Sequence, residues 1–226
     1  MERQLDFETP YEDRIHAGRV LADRLGAYRG KKVLVLGVPR GGVPVAAEVA
    51  RRLDADLDVV VARKLGAPGQ PELAIGAVTA NGGEFVNEEL VRYLRVPEDY
   101  LERVKGEQMA EARRRETRFR GERSAERVQD RVVILVDDGL ATGATMRAAI
   151  RSVRKQRPAR LVVAVPVGSE EAYAALQEEA DEVICASVPE HFAAVGYFYQ
   201  NFEPTEDAEV ERILWEFSTR HGASAA

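Results

Sequence analysis

Short apolar runs alternate along this chain with segments of helical periodicity, and this alternation narrows the choice of fold more than any other feature. Runs typical of buried β-strands occupy residues 33–38, 57–62, 132–136, 161–165 and 183–186. Helices are predicted between and around them, at residues 9–27, 45–53, 97–127, 144–156, 169–180 and 205–220. Buried strands that alternate with helices form a parallel sheet covered on both faces. The sequence therefore predicts an α/β fold with a parallel, Rossmann-like sheet and helices on both faces.

The 226 residues are predicted to form a single domain, because the chain contains no internal repeat, low-complexity tract or linker. Residues 75–79 and 84–86, separated by Asn-Gly-Gly, are predicted to form a β-hairpin. Hydrophobic residues make up 45% and charged residues 31% of the chain, which excludes a mostly disordered protein.

The composition also narrows the compartment and the partners. The longest apolar runs, residues 132–136 and 161–167, are far shorter than the roughly 20 residues that cross a bilayer, so no membrane partner is expected. The first ten residues lack an apolar signal segment, and the lone Cys185 forms no internal disulfide, so we expect a cytoplasmic protein. A net charge of −6 argues against non-specific nucleic-acid binding but leaves a local anion site open.

The strongest motif is VVILVDDGLATGAT, at residues 132–145. A buried strand delivers two adjacent carboxylates, Asp137 and Asp138, to its carboxyl end, where ligands bind in such sheets. The turn that follows has small and hydroxyl-bearing residues leading into a helix: Ala141, Thr142, Gly143, Ala144 and Thr145. Consecutive N–H groups at a helix N-terminus cradle a phosphate, while the carboxylates can accept hydrogen bonds from sugar hydroxyls. The motif predicts a sugar-phosphate site; the alternative is a helix start in which Asp and Thr serve only as caps.

This motif resembles the phosphoribosyl-pyrophosphate signature of type I phosphoribosyltransferases. The resemblance implies a five-stranded parallel core, about residues 30–186, under a small hood formed by residues 1–29 and 187–226. It also implies that Asp137 and Asp138 hold the ribose hydroxyls and that residues 141–145 hold the 5′-phosphate. The whole chain is further similar to a bacterial branch of predicted phosphoribosyltransferases, through residues 17–19, 38–42 and 194–199.

A second anion site is predicted at the turn after the first strand. Gly41 and Gly42 free backbone N–H groups to face an anion, and Arg40 adds a charged donor. In the resembled family the matching loop binds pyrophosphate, often through an unusual peptide conformation, so a cis bond is expected near Arg40–Gly41. A plain tight turn is the alternative.

Two cations, Arg63 and Lys64, follow the second apolar run directly. At the carboxyl end of a strand they suit a pyrophosphate leaving group, and the resemblance favours Lys64 over Arg63. Exposed loop charges without a role are the alternative.

The charged segment 113–127 is open to two interpretations. It is predicted either as a solvated helix with ion pairs four residues apart, or as the mobile flap that the resembled superfamily closes over its reacting centre. The flap would comprise Arg118, Arg120 and Gly121.

The acceptor side rests on aromatic residues. The hood residues that could stack on a planar base are Phe192, Tyr197, Phe198 and Tyr199. The alternative is a hydrophobic cluster under the last helix, with Trp215 and Phe217. Ala141 stands where similar purine-salvage enzymes carry a carboxylate base, which disfavours a 6-oxopurine acceptor.

Together these features predict a Mg²⁺-dependent transfer of ribose 5-phosphate from phosphoribosyl pyrophosphate to an unidentified nitrogenous acceptor. The residues predicted to be catalytic are Asp137, Asp138, Lys64 and Arg40. Mg²⁺ would arrive on the pyrophosphate, with no direct protein ligand and with Asp137 and Asp138 reaching it through water. A homodimer stays open. The alternative is a regulator that binds the same ligand without transfer; a hydrolase with an aspartyl nucleophile is disfavoured because Gly139 replaces its second acid.

Overall fold

A computed structural model describes residues 11–222, with side chains through residue 219. The main sheet contains five parallel strands, β1 (Val33–Gly37), β2 (Asp56–Val59), β6 (Val132–Val136), β7 (Arg160–Val167) and β8 (Glu182–Ser187), in the order β2-β1-β6-β7-β8. A small antiparallel sheet contains β3 (Ala62–Ala67), β4 (Gln70–Thr79) and β5 (Glu84–Val86). The helices are α1 (Arg14–Arg24), α2 (Gly42–Leu53), α3 (Glu88–Tyr93), α4 (Glu98–Arg120), α5 (Ala144–Arg154), α6 (Glu170–Gln177) and α7 (Asp207–Gly222).

The parallel sheet is buried on both faces, as its apolar strands predict. Val35 and Ile134 belong to one hydrophobic core, whereas their neighbours Leu34 and Val133 belong to a second core on the opposite face. Alternate residues of a strand point to opposite faces, so a strand buried on both faces must be apolar throughout. The predicted α/β fold is confirmed.

The chain leaves the parallel sheet earlier than predicted. The apolar run at residues 57–62 divides between β2, which ends at Val59, and β3, which begins at Ala62 in the other sheet. Between them the Val61 N–H donates to Glu116 Oε1 of α4 at 3.1 Å, so a distant helix fixes the exit. Arg63 and Lys64, predicted to follow the second strand, therefore lie within a strand of the small sheet. The predicted pairing of residues 75–79 with 84–86 is confirmed, within a β4 that begins at Gln70.

Both terminal helices contribute to the main core. Leu21 of α1 and Leu214 of α7 belong to the same buried cluster as Val35. This cluster therefore extends across both predicted boundaries between core and hood, near residues 30 and 186. The start predicted for the first helix, residues 9 and 10, lies outside the described residues. Between residues 11 and 222 the structure contains no helix with the length and apolar character needed to cross a membrane.

Candidate active site

Two loops meet at the carboxyl edge of the main sheet. β1 and β6 are hydrogen-bonded neighbours with Gly37 level with Val136, and the Val38 N–H donates to the Val136 carbonyl at 2.8 Å. The turn at residues 38–41 and the loop at residues 137–143 therefore lie side by side. The structure brings these two predicted segments together.

The glycines of the first turn are required by this close approach. A Cβ on Gly41 would overlap the Asp138 carboxylate, and one on Gly42 would lie 2.8 Å from the Asp137 Cα atom. Real Cβ atoms do not come so close. Only glycine fits at position 42, where the clash is with backbone, whereas a side chain at position 41 would displace the Asp138 and Arg14 side chains. The expected unusual peptide is present as a cis bond, but between Pro39 and Arg40, one bond earlier than predicted.

The two acids occupy different electrostatic environments. Asp137 Oδ1 accepts a hydrogen bond from the Asp138 N–H at 2.8 Å, and Asp138 Oδ2 accepts one from Arg14 Nε at 2.8 Å. Burial, and then the neighbouring carboxylate, raise the pKa of Asp137 well above its usual range. Burial also raises the pKa of Asp138, but the Arg14 guanidinium opposes that rise. The Arg14 guanidinium therefore favours the charged form of Asp138, with which it forms an ion pair.

Arg14 is a site residue that sequence reasoning missed. Besides Asp138, its NH1 group donates to the Glu203 carbonyl at 2.7 Å, and its guanidinium carbon lies 3.9 Å from the centroid of the Phe202 ring. The Asp138 contact joins residues 124 positions apart, and no local pattern marks it.

Tyr199 reaches the same place from the other end of the chain. Its hydroxyl donates to the Asp138 carbonyl at 2.6 Å, and burial raises its pKa. Both parts of the predicted hood therefore contact the acidic pair.

The turn before α5 has the features expected of an anion cradle. Gly143 occupies the N-cap position with φ +72°, and no side chain caps the helix. The capping alternative is therefore wrong for this turn, since neither Asp nor Thr caps it. Ser169 Oγ donates to the Ala141 carbonyl at 2.7 Å, which anchors the loop, while Thr142 is exposed. Phosphate binding by residues 141–145 stays a prediction.

Arg40 turns toward α7. Its NH1 group lies 3.4 Å from Asp207 Oδ1, and 39% of its side chain is exposed. A long, exposed ion pair of this kind is weak, so the guanidinium remains available to an anion.

Arg63 and Lys64 lie in β3 and not in a loop after β2, which corrects the prediction. Arg63 Nε donates to Gln108 Oε1 of α4 at 3.1 Å, and burial lowers the pKa of its guanidinium. Lys64 pairs with Ala77, which packs against Ala144 of α5. Paired residues of antiparallel strands share a face. Lys64 therefore lies on the α5 face of the small sheet, whereas Arg63 faces α4.

The predicted flap residues lie in an anchored helix end. Arg118, Arg120 and Gly121 form the end of α4, where the Arg120 Nε group contacts both oxygens of the buried Asp58 at 2.9 and 3.1 Å. Glu116, one turn earlier, accepts from Arg120 NH1 at 2.9 Å. The alternative, a helix laced with ion pairs, describes this segment, and Arg118 adds pairs to α7.

The aromatic hood residues are mostly structural. Phe198 and Tyr199 are buried in a small cluster with Tyr11, and Phe192 stacks on Phe198 with ring centroids 5.6 Å apart. Tyr197 is 61% exposed and is the one of the four predicted residues that presents most of its surface.

The predicted alternative, a hydrophobic cluster, describes Phe192, Phe198 and Tyr199, but its predicted position beneath the last helix with Trp215 and Phe217 is wrong. Phe217 belongs to the main core and Trp215 is 64% exposed. The aromatics instead pack against Tyr11 and α1.

Two cavities bear on the site. One of about 220 Å³ adjoins Arg14 and is lined in part by Asn201 and Thr205. A larger groove of about 850 Å³ lies between the end of α4 and α7, and none of its lining residues belongs to either loop. Across residues 11–222, no group of three or more His, Cys, Asp or Glu side chains could hold a metal ion.

Comparison with known proteins adds the family. Residues 11–201 match the family model described as phosphoribosyl transferase domain. Two curated proteins of Mycobacterium tuberculosis, Rv0571c and MT0597, whose names assign them provisionally to the phosphoribosyl transferases, are 46% identical to this chain over 204 residues. The match covers 90% of this chain and 46% of each relative, so the chain spans about half of their length.

A solved structure is similar over the whole fold. The crystal structure of TT1426 from Thermus thermophilus shares 48% sequence identity with this chain, with a TM-score of 0.78. The match covers 92% of this chain and 98% of the other.

Proposed function

The chain belongs to the phosphoribosyl transferase domain family, and on that premise we propose that it transfers ribose 5-phosphate from phosphoribosyl pyrophosphate to a nitrogenous acceptor. One observation carries the proposal: the uncapped turn at the start of α5 lies at the same sheet edge as the half-buried acids Asp137 and Asp138. A phosphate cradle beside hydroxyl-binding carboxylates matches the two ends of a ribose 5-phosphate.

In the proposed complex, the N–H groups of residues 143–145 and the Thr142 and Thr145 hydroxyls bind the 5′-phosphate. Each carboxyl group already has one hydrogen bond from the protein, which orients it. The ribose 2′ and 3′ hydroxyls then donate to Asp137 and Asp138.

The leaving pyrophosphate is assigned to the turn before α2. The N–H groups of Gly41 and Gly42 and the Arg40 guanidinium supply donors there, and Arg40 exchanges its weak contact with Asp207 for the anion. Lys64 adds a cation from the α5 side. Arg63 is not assigned to the pyrophosphate, because its side chain faces α4.

The donor set fits magnesium only in part. The described residues offer the two oxygen-bearing side chains of Asp137 and Asp138 at the sheet edge, and Asp138 is already paired with Arg14. Such a set suits an ion that keeps most of its water and phosphate ligands. Mg²⁺, when bound, supplies charge neutralisation to the departing pyrophosphate, and the two acids would reach it through water.

The reaction is a substitution at the anomeric carbon of the ribose. The C1–O bond to pyrophosphate breaks with its electron pair going to oxygen, the C1–N bond forms from the acceptor lone pair, and the acceptor nitrogen releases a proton. Donors already in place stabilise the charge that develops on the leaving group. The buried carboxyl pair orients the sugar and favours the positive charge on its ring.

The acceptor is assigned to the hood. Tyr197 offers an exposed ring for stacking on a planar base. Ala141 provides no proton acceptor, which argues against a 6-oxopurine.

The donor site is tested by replacing both acids, Asp137→Asn with Asp138→Asn. We expect phosphoribosyl pyrophosphate binding, measured by titration calorimetry with Mg²⁺, to weaken by about tenfold or more, because charge-assisted hydrogen bonds to the sugar are lost. The matched control is Glu170→Gln with Glu171→Gln, an adjacent pair of exposed acids in α6. Unchanged affinity in the Asp variant would refute the ribose assignment.

Transfer is tested separately from binding. The wild-type chain is incubated with donor, Mg²⁺ and a panel of nitrogenous bases while pyrophosphate release is measured. Release that depends on one base supports the transferase. Saturable donor binding without release for any base favours a regulator that uses the same site.

A further inference from the structure

Arg14 joins three separate segments at one point: α1, the loop at Asp138 and the segment of residues 202 and 203. Its side chain is 12% exposed, and its Nε group donates to Asp138 Oδ2 at 2.8 Å, while NH1 donates to the Glu203 carbonyl at 2.7 Å. The flat face of the guanidinium lies 3.9 Å from the centroid of the Phe202 ring. Two of the three guanidinium nitrogens and one face of the side chain are therefore engaged, which fixes its orientation.

The pyrophosphate turn rests against the same ion pair. A Cβ atom on Gly41 would overlap the Asp138 carboxylate and would lie 2.9 Å from Arg14 Nε. The backbone at residue 41 is thus in direct van der Waals contact with the Arg14–Asp138 pair. A shift of that pair would move both the ribose-binding carboxylate and the turn beside it.

A buried carboxylate without a partner is costly and poorly oriented. Asp138 has Arg14 as its ion-pair partner among the described residues, with Asp137 and Tyr199 as its other titratable neighbours. Neither of these neighbours carries a positive charge. Arg14 is therefore the group that keeps the Asp138 carboxylate charged and pointed toward the sheet edge.

We propose that Arg14 is a positioning residue of the donor site. It acts through Asp138, whose carboxylate it holds in place for the ribose, and it links that carboxylate to the hood segment at residues 202 and 203. The inference rests on the proposed function, since it assumes that Asp138 binds the sugar. Arg14 itself does not touch the donor. Its contacts with Glu203 and Phe202 mean that the C-terminal hood and the carboxylate hold each other in place.

The arrangement requires a guanidinium and not merely a positive charge. Nε and NH1 diverge in a rigid plane, which lets Arg14 serve Asp138 and the Glu203 carbonyl at once while its face covers Phe202. The lysine ammonium is a point donor without a flat face. Arg14→Lys therefore keeps the charge but loses the geometry.

The test compares Arg14→Ala and Arg14→Lys with the wild-type chain, by titration calorimetry with phosphoribosyl pyrophosphate and Mg²⁺. Inorganic phosphate is titrated separately with the turn before α2 filled by saturating pyrophosphate, so that the phosphate reports on the α5 cradle. We expect donor affinity to fall on the order of tenfold in both variants, because misplacing a binding group by a fraction of an ångström is enough to do so. Phosphate affinity should stay within about twofold, since the cradle is built from other residues.

The matched control is Arg19→Ala, one turn further along α1, where the side chain is 69% exposed and pairs with Glu48. It should bind the donor like the wild type. Thermal unfolding of each variant distinguishes a positioning role from a structural one. A loosened fold would lower the melting temperature and reduce the affinities for donor and phosphate together.

The outcomes are distinguishable. If the wild type binds the donor and either Arg14 variant binds it with the same affinity, the positioning role is overturned and the proposed function is unaffected. Parallel loss of donor and phosphate affinity also overturns it, in favour of a structural role. Absence of donor binding by the wild type would instead sink the proposed function itself.

Discussion

Asp137 is a buried carboxyl group that the fold tolerates at a cost. Its Oδ1 atom accepts the Asp138 N–H, yet burial and the adjacent carboxylate raise its pKa well above its usual range. A folded-state pKa above the unfolded value means that the folded chain holds the proton longer as pH rises. Stability is then unaffected by this group below about pH 4 and falls as pH rises toward the raised folded pKa. Binding sites commonly hold such unfavourable groups where ligand contacts require them.

Because stability falls with rising pH through Asp137, removing this carboxyl group should stabilise the fold at high pH. Asp137→Asn keeps an oxygen for the Asp138 N–H and removes the titrating carboxyl group. At pH 8 we therefore expect its free energy of unfolding to exceed that of the wild type by on the order of 1 kcal/mol, and its melting temperature to be higher. The advantage should shrink toward pH 4. Melting curves across this range give the measurement, with Asp130→Asn, at a side chain 77% exposed, as the control. A variant that melts at or below the wild-type temperature at pH 8 would contradict the assigned cost.

At the scale of elements, the end of α4 is anchored to the main sheet. Asp58 of β2 is 2% exposed and accepts from Arg120 and from the Glu126 N–H, while Arg120 also binds Glu116. Arg118, two residues earlier, makes exposed pairs with α7. Two neighbouring arginines on one helix therefore differ mainly in burial.

This difference predicts unequal stabilities. Arg120→Ala leaves Asp58 and Glu116 buried without their cation, so we expect unfolding free energy to fall by about 3–5 kcal/mol. Arg118→Ala, the matched control, should cost about 1 kcal/mol or less, because its ion pairs are exposed. Urea denaturation of both variants provides the comparison. Equal and small losses would mean that the helix end is not clamped, and a flap there would again be tenable.

For the whole molecule, the terminal helices are parts of the core and not a separable cover. Leu214 is 1% exposed within the main cluster, whereas its neighbour Trp215 is 64% exposed. We expect Leu214→Ala to cost about 2–5 kcal/mol in a single cooperative transition followed by circular dichroism. Trp215→Ala should cost about 0.5 kcal/mol or less. If Leu214→Ala left the main transition in place and removed only a minor one, α7 would be an independent unit.

The sequence by itself determined the features that depend on local pattern. Apolar strands alternating with helices specify a parallel sheet, and the rule that loops at the carboxyl edge carry ligands locates residues 38–42 and 137–145. Both follow from periodicity and from the chemistry of adjacent residues, so no long-range information is needed.

Only the tertiary structure decided what depends on distant partners. No residue near Val61 in the sequence indicates that Glu116 fixes the exit of the chain into a second sheet. Likewise, no residue near Arg118 indicates that Arg120 forms an ion pair with Asp58. Arg14 meets Asp138 across 124 positions. The sequence contains the same charged residue whether its side chain is solvated or buried in an ion pair. The tertiary packing determines which of the two environments it occupies.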